Sequence, residues 1–330
     1  MTKVAVIGGC GHIGSWLVPQ LVKAGYETVS ISRGISKPYK EDEAWNEVEC
    51  IALDRDKETD GAFEHKIAAL KADVVIDLIN FRLDDVQAMR RALDGRVAQY
   101  VYCSSCWAEG RAEVLPFNPD NTAKEPLCEY GRQKYASEQY LAAEWKERAF
   151  PSTVIMPGQI SGAGWTIINP WGNRLMRCNG IIRSGGTLML PNFGMETIHH
   201  VHAEDVARLF TLAVTHKENA LGEKFYAVSG GSITLYGYAC LLYRHYGMEP
   251  KIDFLPWREW TEYVRQECAP YAAREEIEHQ LTESYLHLSR SGFFTTAKEH
   301  DLLGYVPAHT NVETIIESVD YMAAHEWWDR

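Results

Sequence analysis

An apolar strand that runs straight into a glycine cluster leaves this chain few folds to choose from. Val4-Ala5-Val6-Ile7 leads into Gly8-Gly9-Cys10-Gly11-His12-Ile13-Gly14, and a helical pattern follows from about Ile13 to Ala24, ending at Gly25. A continuous apolar run bounded by glycines reads as a strand buried on both faces. Glycine at these positions permits a tight turn, close approach of the backbone to a pyrophosphate, and close packing of the helix on the strand. The helix N-terminus then offers free N–H groups and a partial positive charge to phosphates. A glycine cluster alone makes only a tight strand-to-helix turn. Its place after the first strand, at this spacing, makes Gly8, Gly11, His12, Ile13 and Gly14 candidate dinucleotide-binding residues.

The rest of the first half keeps the same rhythm. Strands are predicted at Thr28 to Ile31, Glu49 to Leu53, Asp73 to Ile79, Gln99 to Cys103 and Ser152 to Met156, with helices at Asp84 to Leu93 and Leu127 to Ala149. Alternating strands and helices indicate an α/β fold with a doubly wound parallel sheet of the Rossmann kind. After Pro157 the texture changes to Gly, Pro and Asn over 157–200. A helix returns at Ala203 to Thr215, and Lys224 to Val228 reads as one more strand of the main sheet. From about Leu235 the chain is helical and aromatic, with Trp257, Trp260, Trp327 and Trp328, a pattern commoner in cores and interfaces than in ligand platforms. The expected division is a dinucleotide-binding domain of residues 1–160 with 201–230, and a smaller, interwoven α+β substrate domain of 161–200 with 231–330.

Charge limits the partners. Among 330 residues, 33 are basic and 45 acidic, a net charge of −12, which disfavours general binding to a phosphate backbone. No apolar stretch approaches the roughly 20 residues needed to span a bilayer, and no leader pattern precedes the first strand, so a cytoplasmic protein is expected. The eight cysteines are scattered, and only Cys103-Ser104-Ser105-Cys106 has a C-x-x-C spacing. Reduced thiols are the expectation, with no metal or disulfide.

The kind of dinucleotide turns on the end of the second strand. An acid there would hold the adenosine ribose and favour NAD. The sequence has Ile31-Ser32-Arg33-Gly34, where Arg33 could pair with a 2′-phosphate. NADP(H) is therefore slightly preferred and NAD(H) is the alternative, since Arg33 could equally be a loop residue facing adenine or solvent. Asp54, after the third strand, either meets the adenine edge or caps the segment that follows.

A second constellation lies further on. Tyr130-Gly131-Arg132-Gln133-Lys134 sets a phenol and an ammonium four apart on one helix face. A free tyrosine, with a pKa of about 10, is a poor base at neutral pH; the Lys134 cation and a positive nicotinamide ring would favour its phenolate. Ser104 and Ser105 follow the fifth strand, at the sheet edge where open α/β folds bind ligands. A hydroxyl there, with Ser105 favoured, could hold a substrate oxygen while Tyr130 moves the proton. The plain alternatives are an amphipathic helix and a serine that caps a turn.

These three motifs, with Val154-Ile155-Met156-Pro157-Gly158-Gln159-Ile160-Ser161-Gly162 and Val201-His202-Ala203-Glu204-Asp205-Val206-Ala207, resemble the extended short-chain dehydrogenase/reductases, and more narrowly the NAD-dependent epimerase/dehydratase family. The similarity runs from about Met1 to Val228, with the motifs in the family's order. It implies Ser105, Tyr130 and Lys134 as the catalytic set, a sugar-like substrate, and a homodimer formed through the long helices. The chain departs from the family at Ile198, where nucleotide-sugar epimerases carry an arginine for the substrate pyrophosphate, and at Gln159, where asparagine is frequent. An apolar side chain cannot compensate two phosphate charges, which weighs against a nucleotide-sugar substrate, although Arg174, Arg177 or Arg183 could take the arginine's place. Ser32-Arg33-Gly34 and Asp54-Arg55-Asp56 also resemble the branch that contains chloroplast stem-loop RNA-binding proteins.

His199, His200 and His202 invite a metal reading, but no acid stands at ligand spacing around them. Two functions remain. One is an NAD(P)-dependent oxidoreductase or epimerase acting on a secondary alcohol or ketone of a sugar. The other is a non-catalytic dinucleotide- or RNA-binding regulatory protein on the same fold, against which an intact Ser105, Tyr130 and Lys134 argue.

Overall fold

The computed structural model describes residues 1–121 and 123–327; Trp328 lies outside them. In chain order the elements of the first half are β1 (Lys3–Ile7), α1 (Gly14–Lys23), β2 (Glu27–Ser32), β3 (Glu49–Ala52), α2 (Ala62–Ala69), β4 (Val74–Asp77), α3 (Leu83–Leu93), β5 (Gln99–Cys103), α4 (Glu129–Arg148) and β6 (Ser152–Pro157). Then come β7 (Gln159–Ser161), α5 (Met176–Arg183), β8 (Leu188–Pro191), β9 (Thr197–Ile198), β10 (His200–His202), α6 (Ala203–Thr215), α7 (Lys217–Ala220) and β11 (Lys224–Ala227). The chain closes with β12 (Ile233–Thr234), α8 (Leu235–His245), β13 (Ile252–Leu255), α9 (Trp257–Cys268), α10 (Arg274–Leu288), α11 (Ala297–Leu303) and α12 (Asn311–Ala324).

Seven strands form one sheet in the order β11-β6-β5-β4-β1-β2-β3, and every pairing in it is parallel. This is the doubly wound α/β arrangement read from the alternating strands and helices. Val4, Ala5, Val6 and Ile7 are wholly buried because helices cover both faces. On one face, Leu17, Val18 and Leu21 of α1 pack with Val206, Leu209 and Phe210 of α6. On the other, Phe63 and Ile67 of α2, Val86 and Met89 of α3, and Leu141 of α4 close the second layer. Helix α2 is not legible beforehand, because its eight residues include Glu64, His65 and Lys66 and carry only a weak amphipathic pattern.

Another apolar cluster gathers residues from two separated stretches, among them Ile167, Trp171 and Leu190 from the first and Leu242, Trp260, Ile277 and Val319 from the second. Trp171 and Trp260 are fully buried, and both indole N–H groups donate to the Met189 carbonyl, at 2.9 and 3.1 Å. The small strands β7 to β10, β12 and β13 pair two by two outside the main sheet. Strands of two to four residues leave too short an alternation to be read from sequence.

Candidate active site

Strand order reverses between β1 and β4, and in open α/β sheets ligands bind outside the carboxyl ends of the strands at such a point. A cleft of about 410 Å³ opens there. Gly8, Gly11, His12, Ile13 and Gly14 line it from the β1–α1 turn, Ser104 and Ser105 from the end of β5, and Tyr130 and Lys134 from α4. Trp107, Phe81, Gln159 and Trp165 add to its walls.

The turn fits a diphosphate. Gly8 takes φ +91°, a conformation that L side chains rarely adopt, and a Cβ on Gly14 would run into the carbonyl oxygens of Gly8 and Gly9. No side chain caps α1 and its first turn holds no acid; the N–H groups of Ser15, Trp16 and Leu17 bond the Gly11 and Ile13 carbonyls, and the partial positive charge of the helix end is left to a ligand. A dinucleotide bound there would be held by Gly8, Gly11, His12, Ile13 and Gly14.

Helix α4 brings the phenol and ammonium to the same cleft. A Cβ on Gly131 would overlap the Trp107 carbonyl, so only glycine lets α4 approach the turn that carries Ser105. Ser105 Oγ accepts from the Trp107 N–H at 3.2 Å and lies beside the Tyr130 phenol. Tyr130 is 39% exposed to the cleft; its partial desolvation raises its pKa above that of an ordinary phenol, the nearby Cys103 thiol adds to this, and the Ser105 hydroxyl opposes it. The Lys134 ammonium, 1% exposed, donates to the carbonyls of Asn80 and Cys103, both at 2.6 Å. Burial lowers its pKa to about 8. Both shifts are those of the protein by itself; the phenolate expectation concerns Lys134 together with a bound nicotinamide.

The two serines part company. Ser104 Oγ donates to Glu138, one turn beyond Lys134 on α4, while Ser105 faces the phenol. Glu138 and Glu109 share the buried Lys124 ammonium, at 2.9 and 2.7 Å, and the Tyr226 hydroxyl donates to Glu109 at 2.6 Å. Each of these groups is paired, as burial demands.

Two candidate residues lie away from the cleft. Arg33 is exposed just past β2. Asp54 accepts from the Asp56 N–H at 3.2 Å and pairs with Lys57 at 3.6 Å, the capping alternative. The residue beside it, Arg55, reaches inward instead and pairs with Asp77 at 2.7 Å. An acid ending the apolar run Val74-Val75-Ile76-Asp77 was the available signal, because a buried carboxylate needs a cation.

The histidines do not converge. His199 packs on Phe294, His200 Nδ1 bonds Ser161 at 2.8 Å, and His202 caps α6 by accepting from the Glu204 N–H at 3.1 Å. His202, Glu204 and His309 bring ligand-type atoms within 4.8 Å of one another. In neutral His202, however, the accepting Nδ1 puts the ring proton on Nε2, which faces Glu317 at 2.8 Å.

Fold and cleft together define a Rossmann-type protein in which a serine, a tyrosine and a lysine gather beside a glycine-rich turn. The chain belongs to the NAD dependent epimerase/dehydratase family, whose profile matches residues 4–228. It is 33% identical over 162 residues to 2′-dehydrokanamycin reductase of Streptomyces kanamyceticus, a match covering 49% of this chain and 44% of that protein. It is 25% identical over 242 residues to the chloroplast stem-loop binding protein of 41 kDa b of Arabidopsis thaliana, covering 69% and 61%. The matched stretches thus span about half the length of these relatives. In fold the chain is similar to the dTDP-glucose 4,6-dehydratase of Bacillus anthracis in complex with NAD, with a TM-score of 0.72, 15% identity, and coverage of 99% and 98%. Among the described residues, no helix is long and apolar enough to cross a membrane.

Proposed function

We propose that this chain moves hydride between a nicotinamide dinucleotide and a secondary alcohol or ketone of a sugar or sugar-derived substrate. The supporting observation is that Ser105, Tyr130 and Lys134 line the same cleft as the glycine turn. The dinucleotide, when bound, supplies the hydride donor or acceptor. Tyr130 moves the proton at its phenolic oxygen, Ser105 holds the substrate oxygen, and Lys134 supports the phenol and the nicotinamide ribose. An undissociated phenol suits the acid role in reduction. In the oxidative direction a positive charge beside it must favour the phenolate.

Ile198, 5% exposed, brings no charge to a substrate diphosphate, which favours a substrate not carried on a nucleotide. We assign its selection to a second domain of residues 161–200 and 231–330. Arg33 is the group that would bind a 2′-phosphate. Replacing it by serine should lower affinity for NADP while leaving NAD unchanged, and equal losses for both would remove it from the site.

The experiment is a screen of free sugars, sugar phosphates and nucleotide sugars with NAD(P) or NAD(P)H, followed at 340 nm. Turnover on a small polyol or its ketone, lost in Tyr130→Phe, is the expected result. Turnover untouched by that substitution would refute the mechanism. The similarity to the stem-loop binding protein keeps RNA binding as a second reading, which the net charge of −12 opposes. A gel shift with stem-loop RNA at physiological salt is expected to show nothing.

A further inference from the structure

Outside the proposed catalytic set, a buried ion pair, Arg55 with Asp77, stands behind the cleft wall. Asp77, the last residue of β4, is wholly buried, and its Oδ2 accepts from Arg55 at 2.7 Å, from Asn80 Nδ2 at 3.1 Å and from the Tyr100 hydroxyl at 3.3 Å. Arg55 also donates to the Ile79 carbonyl at 3.0 Å and stands over the Phe63 ring. The next carbonyl, of Asn80, accepts from Lys134 at 2.6 Å. Two cations therefore hold two successive carbonyls. Asp77 binds the first cation directly and reaches the second through the side chain of Asn80. Leu78, Ile79 and Phe81 in this stretch form one wall of the cleft.

Lys134 itself forms no ion pair among the described residues. Two of its three N–H bonds go to carbonyls, leaving one for the cleft. The groups that face it are Asp77 from β4, Arg55 from the turn after β3, Cys103 and the Tyr102 ring from β5, the Phe81 ring from the β4–α3 loop, and Tyr130 and Glu138 from its own helix. Asp77 favours the charged ammonium and Arg55 disfavours it. We propose that Arg55 and Asp77 are positioning residues for Lys134, fixing the loop whose carbonyl holds the ammonium and balancing its protonation through opposed charges. The inference rests on the reading of the cleft as a dinucleotide site and adds two residues outside the glycine turn and the serine, tyrosine and lysine motifs.

The test is the pH dependence of NADH binding to the full chain, followed by NADH fluorescence. The wild type, Asp77→Asn, Arg55→Met, the double variant, Arg55→Lys and Tyr100→Phe are compared. Wild-type affinity is expected to fall as pH rises through about 8, where the buried ammonium loses its proton. In Asp77→Asn that midpoint moves down by roughly half a pH unit or more, because Arg55 is left unopposed. In Arg55→Met it moves up, and in the double variant it returns towards the wild-type value. Arg55→Lys keeps the charge but not the fork to Ile79, so its midpoint stays while affinity drops several-fold. Tyr100→Phe changes no charge and moves no midpoint.

A general folding defect would shift both single variants the same way, and that result, or no shift in either, overturns the proposal. Should a single variant not fold, Arg55→Lys and the neutral double variant still separate charge from geometry. In that case a midpoint that moves in Arg55→Lys overturns it. A wild type that binds no NADH at any pH would instead bring down the dinucleotide reading, and this inference with it.

Discussion

The Lys134 ammonium lies 2.6 Å from the carbonyl oxygen of Cys103, the last residue of β5. One hydrogen bond thus pins the helix that carries Tyr130 to the strand that leads into Ser105. Ser104 with Glu138 makes a second such tie one helical turn further along. Between these two ties Ser105 lines the cleft beside the phenol. Lys134 and Ser104 are thus held by their neighbours before any ligand arrives, the preorganisation that the proposed proton transfer requires.

Replacing Tyr130 by phenylalanine keeps the ring that packs near Phe81 and Trp107 and removes only the hydroxyl, the proposed proton carrier. Hydride transfer should fall by about 10²–10⁴, while NADH affinity stays within about twofold. Single-turnover absorbance and a binding titration on the same preparation check both halves.

Lys124→Met would leave the Glu109 and Glu138 carboxylates, 2% and 1% exposed, facing each other without their shared cation. A loss of about 3–5 kcal/mol is expected in urea unfolding, because breaking a buried pair strands a charge. Ser104→Ala, which removes one donor to Glu138, should cost about 1–3 kcal/mol. Equal unfolding midpoints for the wild type and Lys124→Met would show that the network does not stabilise the fold.

Gly14→Ala sets a methyl group against the carbonyls of Gly8 and Gly9. The turn must open, and dinucleotide affinity is expected to drop by about tenfold or more, since close backbone approach is what the cradle supplies. Isothermal titration with NAD reads this directly; undiminished affinity would place the dinucleotide elsewhere.

Acid stability should depend on His200, which is wholly buried. Burial, then the neighbouring His199 and Arg174, lower its pKa from 6.5 to about 3. Between those values the unfolded chain binds a proton that the folded chain does not, so stability falls as pH drops below 6.5 and the loss ends near pH 3. The slope from this one group is at most about 1.4 kcal/mol per pH unit. His200→Gln lowers stability at neutral pH by losing the ring packed on Tyr238, but it should flatten the acid limb. Urea midpoints at neutral and mildly acidic pH, compared between the two proteins, decide it.

The main sheet was legible because its signals are local. A buried parallel strand must be apolar throughout, and the glycine turn must stand where the first such strand ends. Residues 203–215 could likewise be read as a helix from their own pattern, and the observed α6 has those bounds. Elements without such patterns were missed: α2 is short and polar, and the paired strands outside the main sheet are too brief to alternate. Within the site, the glycines, Ser105, Tyr130 and Lys134 could be listed from motif and spacing. The inward turn of Arg55, one residue past Asp54, was not legible, because spacing along a turn does not say which neighbour faces the interior.

What the residues determined on their own was the order of elements, the dinucleotide-type turn and the identity of the phenol, ammonium and hydroxyl. Tertiary structure decided the distribution of partners: Ser104 to Glu138, Arg55 to Asp77, and Ser105 to the cleft beside Tyr130. The reason is physical. Strand and helix patterns follow from contacts within a few residues, whereas burial and ion pairing depend on groups such as Arg55 and Asp77 that lie 22 positions apart and meet only when the sheet closes.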